Sequence, residues 1–199
     1  MPRDLEPSLS LRERKKARTK AAIQREALAL FHAQGYEATT VEQIAEVAEV
    51  AVSTVFRYFP AKEDLVLSDD YDALLVQAFH AQPDGLGPTE AVRRALGSVL
   101  ADLGADERAA MRERATLALA VPELRAALIG QFAEAIGLIA DLVARQTDQS
   151  RADFGTYASA GAILGVMISA EFYWVEHPDS DLFALLDDAL ARLGAGLAL

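Results

Sequence analysis

Three breaks lying close together limit what the front of this chain can build. Gly35, the Glu49-Val50-Ala51 stretch and Pro60 leave room for only two short helices between the first and the last. A glycine accepts the left-handed backbone that ends a helix, and a proline cannot continue one. Thr40-Val41-Glu42-Gln43 reads as a capping box, with Thr40 as the cap and Gln43 at the third helical position. The second short helix runs from about Val52 to Phe59. At about 100° per residue, Val52, Val55 and Phe59 share one face. Ser53, Thr54 and Arg57 share the other, flanked by Phe56 and Tyr58. A longer helix precedes both, from about Leu11 to Gln34, with Ile23, Ala27, Leu30 and Phe31 at helical spacing.

Beyond Pro60 the pattern predicts a fourth helix from Ala61 to about His80, then a break at 82–88 (QPDGLGP). Further helices are predicted near 89–103, 106–120, 122–147, 151–176 and 180–197. Ala and Leu dominate the 52% of residues that are apolar, and both favour helix. The expectation is an all-α protein of about nine helices. It divides into a flexible arm at 1–10, a helix-turn-helix head at 11–64 and a larger helical body at 65–199.

Charge is unevenly spread. The net charge is −11, yet residues 1–64 hold 10 basic and 10 acidic side chains, while 65–199 hold 9 and 20. Within 11–35 there are 7 basic residues and 2 acidic ones. Charges beyond a Debye length of about 8 Å are largely screened, so an acidic body does not keep a basic front from a phosphate backbone. With no cysteine, disulfides and thiolate chemistry are excluded. His32, His80 and His177 stand apart without metal-ligand spacing, and no nucleophile–base pair or phosphate loop stands out. Neither a metal, a cofactor nor an enzyme is expected. The start lacks a secretory pattern, and the uncharged run from Phe154 to Ala170 is short for a membrane span, so a cytoplasmic protein is expected.

The string from Gly35 to Ala45, followed by Ser53-Thr54-Val55-Phe56-Arg57-Tyr58-Phe59-Pro60-Ala61-Lys62-Glu63-Asp64-Leu65, resembles the TetR family of transcriptional regulators. The likeness implies an N-terminal helix-turn-helix DNA-binding head and a larger ligand-binding and dimerisation body. It places Thr40, Ser53, Thr54, Phe56, Arg57, Tyr58 and Lys62 at double-stranded DNA. Hydroxyls and Lys62 would hold phosphates, Arg57 could pair with guanine, and Phe56 could meet a thymine methyl. Arg12, Lys15 and Lys16 form either a backbone-contacting arm or a solvated helix face. Two positions depart from the family's usual Gly-Val-Ser turn. Glu49 replaces the glycine that suits a left-handed backbone, and Ala51 lacks a capping oxygen.

For the body, the resemblance implies a homodimer through the last two helices. Ala158, Gly161, Gly165 and Ser169 would form a small-residue stripe, with Leu182, Leu186 and Leu190 opposite. A ligand cavity would draw on Phe79, Met111, Arg114, Leu117, Phe132, Ile136, Ile139, Tyr157, Met167, Glu171 and Trp174, although each also suits plain core. The later tracts are similar to mycofactocin-type and related actinobacterial members, which points to an apolar effector of the fatty acyl-CoA kind. The function implied is a repressor of a palindromic operator, released by its effector. The alternative is a regulator-like helical interaction protein that has lost DNA binding through its altered turn.

Overall fold

A computed structural model describes residues 11–68, 71–83, 85–101, 103–147 and 149–197. Its regular structure among those residues is ten α-helices, and the chain divides into two compact units after Ser68. The arm assigned to 1–10 lies outside the described residues.

The first unit holds α1 (Leu11–Gln34), α2 (Val41–Val47), α3 (Val52–Tyr58) and α4 (Asp64–Leu67). Its core is the inner face of each: Ile23, Ala27 and Phe31 of α1, Ile44 and Ala45 of α2, Val55 of α3 with Phe59 after it, and Leu65 and Val66 of α4. Burial of the branched and aromatic side chains among these contributes about 1.5–3 kcal/mol apiece. A polar tie joins α1 to α2. Gln34 Nε2 donates to Thr39 Oγ1 at 3.1 Å and to Gln43 Oε1 at 2.9 Å, and the buried Thr39 hydroxyl donates to the Gly35 carbonyl at 2.8 Å.

The single helix predicted from Ala61 to about His80 is in fact two elements, which raises the count from about nine to ten. Ser68 leaves the helix with an extended backbone, φ −82° and ψ 129°. Gln24 of α1 holds the chain in that departure. Its amide donates to the carbonyls of Leu65 and Ser68, at 3.1 and 3.0 Å, which a continuing helix would have satisfied internally.

The second unit holds α5 (Tyr71–His80), α6 (Pro88–Leu100), α7 (Ala105–Ala120), α8 (Pro122–Thr147), α9 (Phe154–Glu176) and α10 (Leu182–Gly194). Helix α9 packs against α8 and α10, and α6 packs against α5 and α10. The core joins Phe79, Val92, Leu96, Ile139, Val143, Ile163 and Leu190. Phe183 of α10 lies against α6 at Gly97, where a Cβ would sit 3.4 Å from the ring, in ordinary contact. Helices α8 and α9 have mean hydropathies of 1.6 and 1.4 over their most apolar windows, enough by length and composition to cross a membrane. Only 22% and 28% of those windows is buried within this chain, so both helices keep apolar surface outward.

Arg112 ties α7 to the end of α9. Its Nη1 reaches the carbonyls of Trp174 and His177, its Nη2 donates to the Ser180 carbonyl at 2.9 Å, and its guanidinium lies 4.2 Å from the Trp174 ring centroid. A cation is favourable there because helix C-termini carry partial negative charge. A second network joins α6 to α10. Arg93 bonds Glu90 at 2.8 Å and Asp187 at 2.7 Å, and Arg94 bonds Glu90 at 2.7 Å. Hydrogen bonds from Arg93, then Arg94, hold the Glu90 carboxyl at about 2, against an ordinary 4.5. A depressed folded-state pKa stabilises the fold above about pH 4.5, and the benefit disappears as pH falls through about 2. The pair is partly solvated, so Glu90→Gln should cost about 1 kcal/mol or less at neutral pH. Thermal melts between about pH 2 and 7 should show wild type and variant converging at the acid end; a constant offset would contradict the assignment.

Candidate nucleic-acid interface and ligand cavities

The head presents α3 on a turn that its sequence does not favour. Glu49 adopts φ 53°, the left-handed region, and it is the residue that closes α2. Val50 N donates to the Ala45 carbonyl at 2.9 Å and Glu49 N to the Glu46 carbonyl at 3.1 Å. These two bonds make a Schellman ending with glutamate in the position that glycine usually fills. Ala51 then starts α3 with no side-chain cap. The strain and the missing cap foreseen for Glu49 and Ala51 are both present, and the turn forms nonetheless.

Helix α3 is amphipathic as its spacing predicts. Val55 and Phe59 are buried and Val52 is half-buried. Ser53, Phe56 and Arg57 are exposed, Phe56 at 46%, while Thr54 and Tyr58 are half-buried at the flanks. The Arg57 guanidinium lies 5.2 Å from the Tyr58 ring centroid, which steadies it in a cation–π contact. Thr40 is exposed at the start of α2. Its Oγ1 accepts from Gln43 N at 3.3 Å while Gln43 Oε1 accepts from Thr40 N at 2.9 Å, completing the capping box. A hydroxyl used as an acceptor keeps its proton to donate.

Lys62 is placed differently from the expectation of an outward clamp at the start of a long helix. Its ammonium is half-buried, donates to the Tyr36 carbonyl at 2.6 Å and lies 4.2 Å from the Tyr36 ring centroid. The helix beside it, α4, has four residues and so offers little dipole. Arg12, Lys15 and Lys16 lie exposed in the first turns of α1.

In the body two cavities stand out. One, of about 160 Å³, is apolar and draws Phe79, Ile139 and Met167 together with Leu75, Val92 and Leu142. The other, of about 500 Å³, is lined by the ends of α6, α7, α9 and α10 and takes Met111 and Trp174. Five of the eleven proposed cavity residues are thus divided between two cavities, and six line neither. Arg114, Leu117, Phe132 and Ile136 are half-buried and line neither cavity, while Tyr157 and Glu171 are exposed. The arginines that reach a cavity are Arg108 and Arg112; the carbonyl partners that place Arg112 lie more than sixty residues away, at 174–180, where no local spacing signals them. On the expected dimer face, Ala158, Gly165 and Ser169 are exposed, and Gly161 and Leu182 are half-buried. Leu186 and Leu190 are buried within this chain, where α10 meets α6 and α9, and so are core.

Residues 23–68 match the family described as bacterial regulatory proteins, tetR family, and residues 86–198 match the MftR C-terminal domain. The chain belongs to the TetR family of transcriptional regulators, with a helix-turn-helix head and an all-helical body. The HTH-type transcriptional regulator TcmR of Streptomyces glaucescens is 36% identical over 191 residues, covering 88% of this chain and 81% of its own. A protein of Mycobacterium tuberculosis named for regulating mycofactocin biosynthesis, MftR, is 30% identical over 187 residues, covering 92% and 93%. Among solved structures, the Thermus thermophilus repressor FadR in complex with lauroyl-CoA aligns with a TM-score of 0.56 at 28% identity, over 90% of this chain and 95% of its own.

The turn yields two predictions. Glu49→Gly should stabilise the head by about 1 kcal/mol, because it removes the left-handed penalty. Ala51→Ser should add about 0.5–2 kcal/mol by capping α3. Urea denaturation followed by circular dichroism measures both, and a loss of stability in either variant would refute the account of the turn.

Proposed function

We propose that the protein is a repressor that binds a palindromic operator as a homodimer and leaves it when a small, largely apolar effector binds. The observation that carries this reading is α3, whose Val55 and Phe59 are buried while Ser53, Phe56 and Arg57 stand clear. Arg57 would pair with guanine and Phe56 with a thymine methyl. Thr40, Ser53, Thr54 and Tyr58 would donate to phosphates, and Arg12, Lys15 and Lys16 would add charge along the backbone. Lys62 joins them by turning an N–H outward, since an ammonium carries three donors. Two heads on a two-fold axis would read half-sites about 34 Å apart or a multiple of that.

Dimerisation is supported by the outer surface of α8 and α9, where Ile129 is 69%, Phe154 84% and Tyr157 49% exposed. The small residues Ala158, Gly165 and Ser169 on α9 would let a second copy approach closely. The effector would enter the cavity lined by Phe79, Ile139 and Met167, whose walls offer almost nothing but hydrocarbon. That cavity is smaller than the ~300–1,000 Å³ of usual ligand sites, so it would open as it fills. An acyl thioester is the favoured class, in line with the lauroyl-CoA held by the FadR relative. Release follows only if the effector prefers a body conformation of low operator affinity. The protein would act in the cytoplasm, where its operator is.

Site selection from random duplexes should return a palindrome, bound with an affinity that falls steeply as salt rises. Arg57→Ala should weaken that binding about tenfold or more and leave the dimer intact, read by fluorescence anisotropy and light scattering. Failure to enrich any sequence would reject the repressor reading and favour an interaction protein without DNA binding. Lauroyl-CoA should release the bound duplex, and indifference to it would reject the effector class alone.

A further inference from the structure

The cavity of about 500 Å³ is a different environment from the apolar one, and the sign of its charge is unusual for this chain. Residues 65–199 carry 20 acidic against 9 basic side chains, yet among the described residues this wall holds two guanidiniums, Arg108 and Arg112, and one carboxylate, Asp181. The carboxylate is already engaged as the cap of α10, where its Oδ1 accepts from Ala184 N at 2.8 Å. Arg112 is held in place by the carbonyls of Trp174, His177 and Ser180 and by the face of Trp174. A guanidinium has five N–H donors, so it can bind these three carbonyls and still offer a donor to an anion. Arg108 is exposed on the adjoining turn of α7 and donates to the Leu103 carbonyl. The remaining wall is apolar and partly aromatic, with Trp174 buried and Phe183 laid against Gly97. A volume near 500 Å³ lies within the ~300–1,000 Å³ range of small-molecule sites, which are mostly apolar with a few placed polar groups.

We infer that this cavity is a second ligand site, selective for a small carboxylate with an aromatic body. The carboxylate sits at Arg108 and Arg112, where charge-assisted bonds form in a partly desolvated setting. The ring lies between Trp174 and Phe183. The site is separate from the effector cavity proposed above, because the two share no lining residue. It therefore stands or falls without reference to operator binding. Ligand held there would brace the junction of α7, α9 and α10 that Arg112 already ties.

Trp174 is the only tryptophan in the chain and lines this cavity, so its emission follows events at the cavity wall. The test titrates the full-length protein with 4-phenylbutyrate and, in parallel, with 4-phenylbutanol, its uncharged counterpart. A saturable change in Trp174 emission is expected with the acid, with the alcohol at least about tenfold weaker. Arg108→Met keeps the aliphatic stem of an exposed residue and should weaken the acid about tenfold. Ala109→Phe, also exposed on α7 and in the cavity wall, should abolish binding by filling the space while both arginines remain. No saturable change up to about 10 mM, equal affinity for the alcohol, or undiminished affinity in either variant overturns the assignment.

Discussion

The head depends on one left-handed residue. With Glu49 at φ 53°, the chain reverses after α2 and the Schellman bonds close behind it. That reversal lets Val55 and Phe59 meet Ile44 and Ala45 in one core and turns Ser53, Phe56 and Arg57 the other way. The local cost of the glutamate, on the order of 1 kcal/mol, is small beside the burial of those four side chains. Tertiary packing overrules local preference here, as it does for most short helices.

This balance explains which features were legible in the sequence. The capping box at Thr40, the stop at Gly35 and the two faces of α3 each follow from side chains within a few positions of one another. So do the strain at Glu49 and the missing cap at Ala51. The break after α4 is of another kind, because no Gly or Pro marks it and the side chain bonded to its carbonyls is Gln24, more than forty residues earlier. Lys62 likewise turns to Tyr36, a partner twenty-six positions away. In the body, periodicity placed the helices but could not say which face of α10 is inward. Leu186 and Leu190 have the same spacing whether they meet a second copy or α6 and α9.

The split in charge also has a structural counterpart. The first turns of α1 carry exposed Arg12, Lys15 and Lys16, whereas the body answers its own acidity with ion pairs such as Glu90–Arg93–Asp187. The body's arginines are largely spent on its own carbonyls and carboxylates. Arg108 and Arg112 share that habit through Leu103 and the end of α9, yet they also border open space.

Gly97 gives the body an adjustable dimension. It lines neither cavity, but Phe183 rests on it and is itself part of the larger cavity's wall. At 3.4 Å from the ring a single methyl would fit in ordinary contact, so atoms added beyond it toward the ring would have to push the ring aside. Divergence at this one backbone position could thus resize the chamber by swinging an aromatic panel, with every residue facing the chamber unchanged. Relatives with identical linings could then accept guests of different bulk.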